Sequence, residues 1–208
     1  MANILILDSS ATGAASVTRK LTTEFADHIR RVDAAASIVH RDVGREPIPH
    51  LTEETVTAIR GEANSDAERA TLALSDQLIA EIKAADLIVI GAPMYNFGMT
   101  STLKAWFDHV LRARVTFHYT DKGAEGLVLG KRAIVIEARA GFYSEGPAAA
   151  MDNQEPHIRT LLGFMGITDV TFVRAEKLAF GPESVAASTT EAMAQLRELA
   201  GTEPALAA

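Results

Sequence analysis

Residues 87–93, Leu-Ile-Val-Ile-Gly-Ala-Pro, decide how the chain is read. Leu87, Ile88, Val89 and Ile90 form an apolar run with no polar alternation. That fits a strand covered on both faces, as in the middle of a parallel sheet. Gly91-Ala92-Pro93 closes it. Proline holds the preceding residue extended, so the strand leads into a loop rather than straight into a helix. Similar runs lie upstream at Ile4-Leu5-Ile6-Leu7, closed by Asp8-Ser9-Ser10, and at Ser37-Ile38-Val39-His40. Downstream they recur at Ala133-Ile134-Val135-Ile136 and near Val170-Thr171-Phe172-Val173. Between them the apolar spacing turns helical. Leu21, Phe25 and Ile29 follow Thr18, and Leu72, Leu78, Ile79 and Ile82 lie within 65–84. Met99, Leu103, Trp106, Phe107, Val110 and Leu111 lie within 99–112. Two more helices are expected, one ending near Gly163 and one from Glu183 to Ala200. Five strands alternating with five helices predict an α/β, doubly wound, five-stranded parallel sheet with right-handed crossovers. Residues 44–65, with Pro47, Pro49 and many acids, predict a loop with one short helix from Thr52. Residues 115–128 predict two short strands around a Lys122-Gly123 turn, a small β-excursion before the fourth strand.

A length of 208 residues and a hydrophobic share of 48% predict one globular domain over 1–208, with a frayed tail from about 201. A chain of this size buries about 70% of its unfolded surface, enough for a core without staples. Cysteine is absent, which removes disulfides, thiol nucleophiles and Cys-ligated metals. The net charge of −7 disfavours a phosphate backbone as partner, so no nucleic acid is expected. The opening residues lack a basic n-region, and no apolar run approaches the ~20 residues of a membrane span. No membrane partner and a cytoplasmic setting are therefore expected. The six histidines show no metal-site spacing, and His109 is assigned to the polar face of its helix. Ser75 and Ser144 lack a nucleophile context.

In doubly wound sheets, ligands bind outside the C-terminal strand ends where strand order reverses. Three loops qualify. The first, Ser9 to Thr18, offers hydroxyls from Ser10, Ser16 and Thr18 at a helix N-terminus, where N–H groups and the helix dipole favour an anion such as a phosphate. It matches neither common nucleotide fingerprint, and Ser16 or Thr18 can equally be a plain helix cap. The second, Met94-Tyr95-Asn96-Phe97, is apolar where loops are usually solvated. It either plugs the core or covers a flat ring. The third, Ala138-Arg139-Ala140-Gly141, sets small residues beside Phe142 and Tyr143. Gly141 permits close backbone approach, and Arg139 reads as a surface ion pair. A phosphate at one loop and a planar ring at the other two describe FMN.

Several stretches resemble the FMN-dependent NADH azoreductases, relatives of the flavodoxin-like NAD(P)H:quinone oxidoreductases. They are the opening ILILDSS (4–10), SVTRKL (16–21), the long run APMYNFG through KRAIVI (92–136) and LGFMGITDVTFVRAEKLAFGPE (162–183). The resemblance implies a flavodoxin-like sheet, with Ser10, Ser16, Val17 and Thr18 at the FMN phosphate. It places Met94, Tyr95, Asn96 and Phe97 at the ring and Ala138, Arg139, Ala140 and Gly141 along its pyrimidine edge. The family often has Ser-Gln-Ser where this chain has Ser16-Val17-Thr18; Val17 still offers its N–H. It often has Ser-Arg-Gly-Gly where this chain has Ala138 to Gly141, so a hydroxyl and a glycine are lost. The implied activity is two-electron transfer from NADH or NADPH to a quinone or azo acceptor by ping-pong exchange. The chemistry is flavin-borne, so no protein acid is required. Tyr119 or His118 can supply a proton, and Tyr119 and Phe97 are candidates for the substrate pocket. A homodimer is implied, with Tyr119 reaching the partner's pocket; the dense apolar positions of 99–111 plus Phe117 and Tyr119 argue for a second surface. Rival readings are an electron-transfer flavodoxin and a flavin-free module binding a phosphorylated metabolite.

Overall fold

A computed structural model describes residues 2–201. Beyond Gly201, the tail expected to fray lies outside the described residues. Five strands form one parallel sheet: β1 (Asn3–Asp8), β2 (Ser37–Asp42), β3 (Leu87–Pro93), β6 (Arg132–Ala138) and β7 (Asp169–Ala175). Their order is β2-β1-β3-β6-β7. The chain leaves β1 for one edge, then crosses back to place β3 on its other side. The switch point therefore lies between β1 and β3, as the doubly wound reading requires.

The unbroken apolar runs follow from burial on both faces. Leu5, Leu7, Ile88, Ile90, Ala133 and Val135 pack against Leu78, Ile82, Trp106, Phe107, Ile158 and Leu162. These come from α2 (Asp66–Ala84), α3 (Ser101–Val110) and α4 (Glu155–Met165). The alternate residues Ile4, Ile6, Leu87, Val89, Ile134 and Ile136 pack against Leu21, Phe25, Ile29, Ala192 and Leu196 of α1 (Val17–Val32) and α5 (Pro182–Gly201). Local signals fix the helix ends. Ser65 and Glu68 form a capping box on α2, Thr100 caps α3, and Gly166 at φ 101° closes α4.

Three expectations are corrected in detail. No helix starts at Thr52: residues 53–60 wind through successive turns, in which i−3 and i−4 bonds are mixed instead of forming a ladder. The segment is held by burial of Ile48, Ala58 and Ile59. His109 is not on a polar face. It is 1% exposed, because the 44–65 segment folds over α3 and His109 Nε2 meets the Pro49 carbonyl at 2.9 Å. Burial lowers its pKa from the ordinary histidine value. The hairpin of β4 (Phe117–Thr120) and β5 (Gly123–Gly126) turns at Asp121-Lys122, one residue earlier than expected, because Gly123 already pairs with Thr120.

The hairpin is docked by backbone contact. A β-carbon at Gly126 would lie 2.1 Å from Gly166 N and 2.3 Å from Met165 C. Val128 N–H donates to the Met165 carbonyl at 2.8 Å, and the Phe117 ring sits 4.6 Å from that of Phe164. Gly126→Ala must therefore push the hairpin off α4. It is expected to cost about 1–3 kcal/mol, the usual range for overpacking, read as a lowered urea midpoint.

Candidate functional site

The loop after β1 is built around Arg19, in the first turn of α1. Its Nη2 donates to the Ser10 carbonyl at 2.9 Å and its Nε to the Gly13 carbonyl at 3.2 Å. Its other side is paired with Asp42, and Asp8 lies 3.7 Å from Nη1. Asp8 is 1% exposed; it accepts from Thr22 Oγ1 at 2.9 Å and bonds His40 Nε2 at 2.7 Å. The bond to Asp8 raises the His40 pKa above the ordinary value. From behind, Gly44 presses on the loop. A β-carbon there would lie 2.2 Å from the Ser10 carbonyl oxygen.

Ser16 does cap α1: its Oγ accepts from Arg19 N–H at 3.2 Å and contacts Thr18 Oγ1 at 3.1 Å. A serine hydroxyl keeps one donor while accepting, so with Thr18 as the donor to it the cap leaves a hydrogen for a ligand. The first N–H groups of a helix have no intrahelical partner. Here those of Val17 and Thr18 have none among the described residues, nor has that of Ala14 just before them. Thr18 is fully buried, its Oγ1 against Ser16 Oγ. Ser10 is also buried, its Oγ held by Thr12 Oγ1 at 3.0 Å.

The loop after β3 is a tight turn. Tyr95 and Gly98 exchange backbone bonds of 2.9 and 3.1 Å, with Asn96 at φ 47° and Phe97 at φ 68° between them. Two successive non-glycine residues in the left-handed region are strained, each by about 1–2 kcal/mol. The geometry turns Tyr95 and Phe97 outward, 37% and 40% exposed. They are therefore not core plugs. Phe97 meets Tyr143 edge-on at 6.1 Å. Tyr95 Oη accepts from Ala11 N–H at 3.2 Å, and Thr102 Oγ1 donates to the Ser9 carbonyl at 3.3 Å, so this loop and the first are joined. Partly buried Met94 donates its N–H to the Ala138 carbonyl at 2.9 Å, which joins it to the third.

Ala138 is buried and Ala140 exposed. The Arg139 ion pair is real, but it is buried and not on the surface: the side chain is 0% exposed. Its Nη2 meets Glu137 at 2.5 Å and Asp152 at 3.0 Å, and its Nη1 meets Glu176 at 3.3 Å. Its N–H donates to the Ala175 carbonyl at 2.9 Å. Arg139 thus faces the protein, while the N–H groups of Ala140 and Gly141 have no partner among the described residues. Glu176 also accepts from Tyr143 N–H at 2.8 Å and Ser144 N–H at 3.1 Å, which clamps the third loop. Gln154 Nε2 holds the Ala92 carbonyl at 2.8 Å beneath the second.

Sequence reasoning gave no role to Arg19, Gly44, Gln154 or Glu176. Arg19 left a legible sign, since a cation in a helix's first turn opposes the dipole and needs a local reason. So did Glu137 and Arg139, opposite charges two residues apart at the end of an apolar strand. Gly44, Gln154 and Glu176 act across tertiary contacts and left none. Among the described residues, no His, Asp and Glu group could hold a metal ion, and no helix is long and apolar enough to cross a membrane.

A parallel sheet with three joined loops at its switch point, one opening a hydroxyl-rich helix start and one an exposed aromatic turn, defines a flavodoxin-like protein. The sequence profile described as flavodoxin-like fold matches residues 2–200, and the chain belongs to that family. Within it, the chain is 50% identical over 208 residues to the FMN-dependent NADH:quinone oxidoreductase of Hyphomonas neptunium, covering 100% of each chain. It is 44% identical to FMN-dependent NADH:quinone oxidoreductase 3 of Pseudomonas aeruginosa, covering 99% of this chain and 96% of that one. Among solved structures, the azoreductase of Bacillus anthracis superposes with a TM-score of 0.89 at 25% identity, covering 98% of this chain and 100% of that one.

Burial pushes the Glu137 carboxyl up to about 8 despite the Arg139 guanidinium beside it. The folded chain then holds this proton well above the unfolded value. The resulting stability is full below the ordinary carboxylate range and is lost as pH rises through about 8. Glu137→Gln, which mimics the protonated side chain, should abolish this loss. Urea midpoints of the parent chain should fall relative to the variant as pH rises from about 5 to 9; a constant difference would refute it.

Proposed function

We propose that this chain is an FMN-dependent oxidoreductase that passes two electrons from NADH to quinones and azo compounds. The observation that carries this reading is the meeting, at the C-terminal end of the sheet, of a set of unpaired N–H groups at a helix start and an exposed aromatic turn. The names of the full-length relatives agree with it.

The residues fit FMN. Ser16 Oγ and the N–H groups of Ala14, Val17 and Thr18 would hold its phosphate, and Ser10 supports them from within the loop. Neutral donors at a helix start suit a dianion without a lysine. Met94, Tyr95, Asn96 and Phe97 would line the ring, and the N–H groups of Ala140 and Gly141 would face its pyrimidine edge. Arg139 contributes by holding that backbone in place. Bound FMN supplies the redox chemistry, accepting the electron pair from the donor and releasing it to the acceptor. The protein binds, orients and shields. The strain at Asn96 and Phe97 is consistent with this role, because it keeps the aromatic side chains out of the core where a flat ligand covers them. His118 pairs with Glu125 at 3.2 Å and stands, with Tyr119, as a proton source for the reduced acceptor.

Donor and acceptor use the same open face in turn, which gives ping-pong kinetics. Initial rates of the yellow protein with NADH, at several fixed quinone concentrations, should give parallel double-reciprocal lines. Lines that intersect would reject the shared face, and no turnover with either a quinone or an azo dye would reject the reading as a whole. The setting we assign is the cytoplasm, where NADH is held.

The working form in this reading is a homodimer. The apolar face of α3 needs no partner, since Trp106, Phe107 and Val110 are fully buried in their own subunit, and Phe117 also packs inward. The support comes from the hairpin and the chain after it, where Tyr119 is 72% and Leu129 69% exposed. Large exposed apolar groups on one excursion suit a second copy of the chain, and a twofold pair is the commonest solution. Tyr119 would then cover substrate in the partner's pocket. Light scattering on the eluted protein should give twice the chain mass, and Tyr119→Ala should lower acceptor turnover more than FMN affinity. A monomer with full turnover would overturn the dimer.

A further inference from the structure

The loop that would receive a phosphate carries no cation aimed into it, yet a buried arginine sits directly behind it. We propose that Arg19 is a positioning residue that sets the preference for phosphorylated over dephosphorylated flavin, acting through the Ser10 and Gly13 carbonyls rather than by touching the phosphate. The inference rests on the FMN reading above.

A trans peptide directs its C=O and N–H to opposite sides. Arg19 grips the carbonyls of Ser10 and Gly13 at 2.9 and 3.2 Å. The N–H groups of the same two peptides, those of Ala11 and Ala14, must therefore point away from the guanidinium. Ala11 N–H does so, reaching Tyr95 Oη at 3.2 Å. Ala14 N–H is left without a partner among the described residues, as are those of Val17 and Thr18 a few positions on. The Arg19 N–H is itself the donor to Ser16 Oγ, so this one residue orients two groups of the cradle, Ala14 N–H and Ser16 Oγ.

The charge of Arg19 is answered elsewhere. Asp42 pairs with it and Asp8 stands 3.7 Å away, while Thr22 and His40 hold Asp8 in turn. The two carboxylates orient the guanidinium from one side so that it offers fixed donors to the loop on the other. A planar fork with five donors can meet two carboxylates and two carbonyls at once, whereas an ammonium is a point charge with three donors. Gly44 completes the arrangement from behind, where a β-carbon would strike the Ser10 carbonyl that Arg19 holds.

Arg19→Lys is the deciding variant, because it keeps the charge beside Asp8 and Asp42 and removes the fork. Dissociation constants of the apoprotein for FMN and for riboflavin are read by flavin fluorescence, with thermal melts of each apoprotein alongside. For the parent chain, FMN should bind and riboflavin should bind much more weakly; failure of the parent to bind FMN sinks the functional reading itself. In Arg19→Lys, FMN affinity should fall by about tenfold or more, as for lost hydrogen bonds to a charged group, with riboflavin affinity changed by less than about threefold. If FMN binding is unchanged, the arginine only neutralises Asp8 and Asp42, and the proposal fails. If both ligands weaken by one factor, or the variant does not fold while Arg19→Gln folds and binds FMN normally, Arg19 is a general structural residue, and the proposal fails equally.

Discussion

The close approach of β1 and β3 at Asp8 and Gly91 is the constraint on which the site depends. These strands are neighbours in register, with Asp8 opposite Gly91. A β-carbon at Gly91 would stand 2.7 Å from Asp8 Oδ1 and 3.3 Å from the Thr22 methyl. The missing side chain makes room for a buried carboxylate at the switch point, where the two following loops diverge. Such a carboxylate is costly unless its oxygens are satisfied. Thr22 from α1, His40 from β2 and Arg19 from the start of α1 satisfy it. The demand of one buried charge thereby fixes how α1 begins, where the edge strand β2 ends and how the first loop is folded. Ser9 adds a direct tie, its Oγ donating to the Gly91 carbonyl at 2.7 Å.

A second buried charge cluster does for the third loop what Asp8 and Arg19 do for the first. Arg139 lies among Glu137, Asp152 and Glu176, and Glu176 continues to the backbone of Tyr143 and Ser144. Burying ions adds little net stability, since desolvation offsets attraction. What such clusters supply is direction: a guanidinium held from several sides admits one arrangement of the segments around it. The aromatic turn lies between the two clusters and carries the backbone strain. Strain of this kind persists only where the surroundings over-determine it, and hydrogen bonds to Ala11, Ala138 and Asn153 from this turn do so.

The layered fold was legible because it is written in short-range pattern. Unalternated runs such as Leu87–Ile90 and helical spacing such as Leu21, Phe25 and Ile29 act over a few positions. The three loops were legible through position, since strand C-termini at a switch point are where ligands bind. Errors arose where a distant segment changed a residue's surroundings. His109 follows Asp108 on α3 and reads as polar, but the 44–65 segment covers it. Arg139 reads as surface charge because nothing nearby in sequence announces that Asp152 and Glu176 converge on it.

The sequence by itself determined the sheet, the order of its elements, the absence of thiol chemistry and the three loops that face a ligand, because periodicity and turn residues act over a few positions. Only the tertiary structure decided which groups in those loops are free. It turned Tyr95 and Phe97 outward, faced the Arg139 guanidinium inward, spent the Thr18 hydroxyl in the interior and left the amides of Ala14, Val17, Ala140 and Gly141 without partners. Whether a donor is satisfied depends on what the fold brings to within about 3 Å of it, and partners such as Ala138 for Met94 or Ala175 for Arg139 lie tens of residues away along the chain.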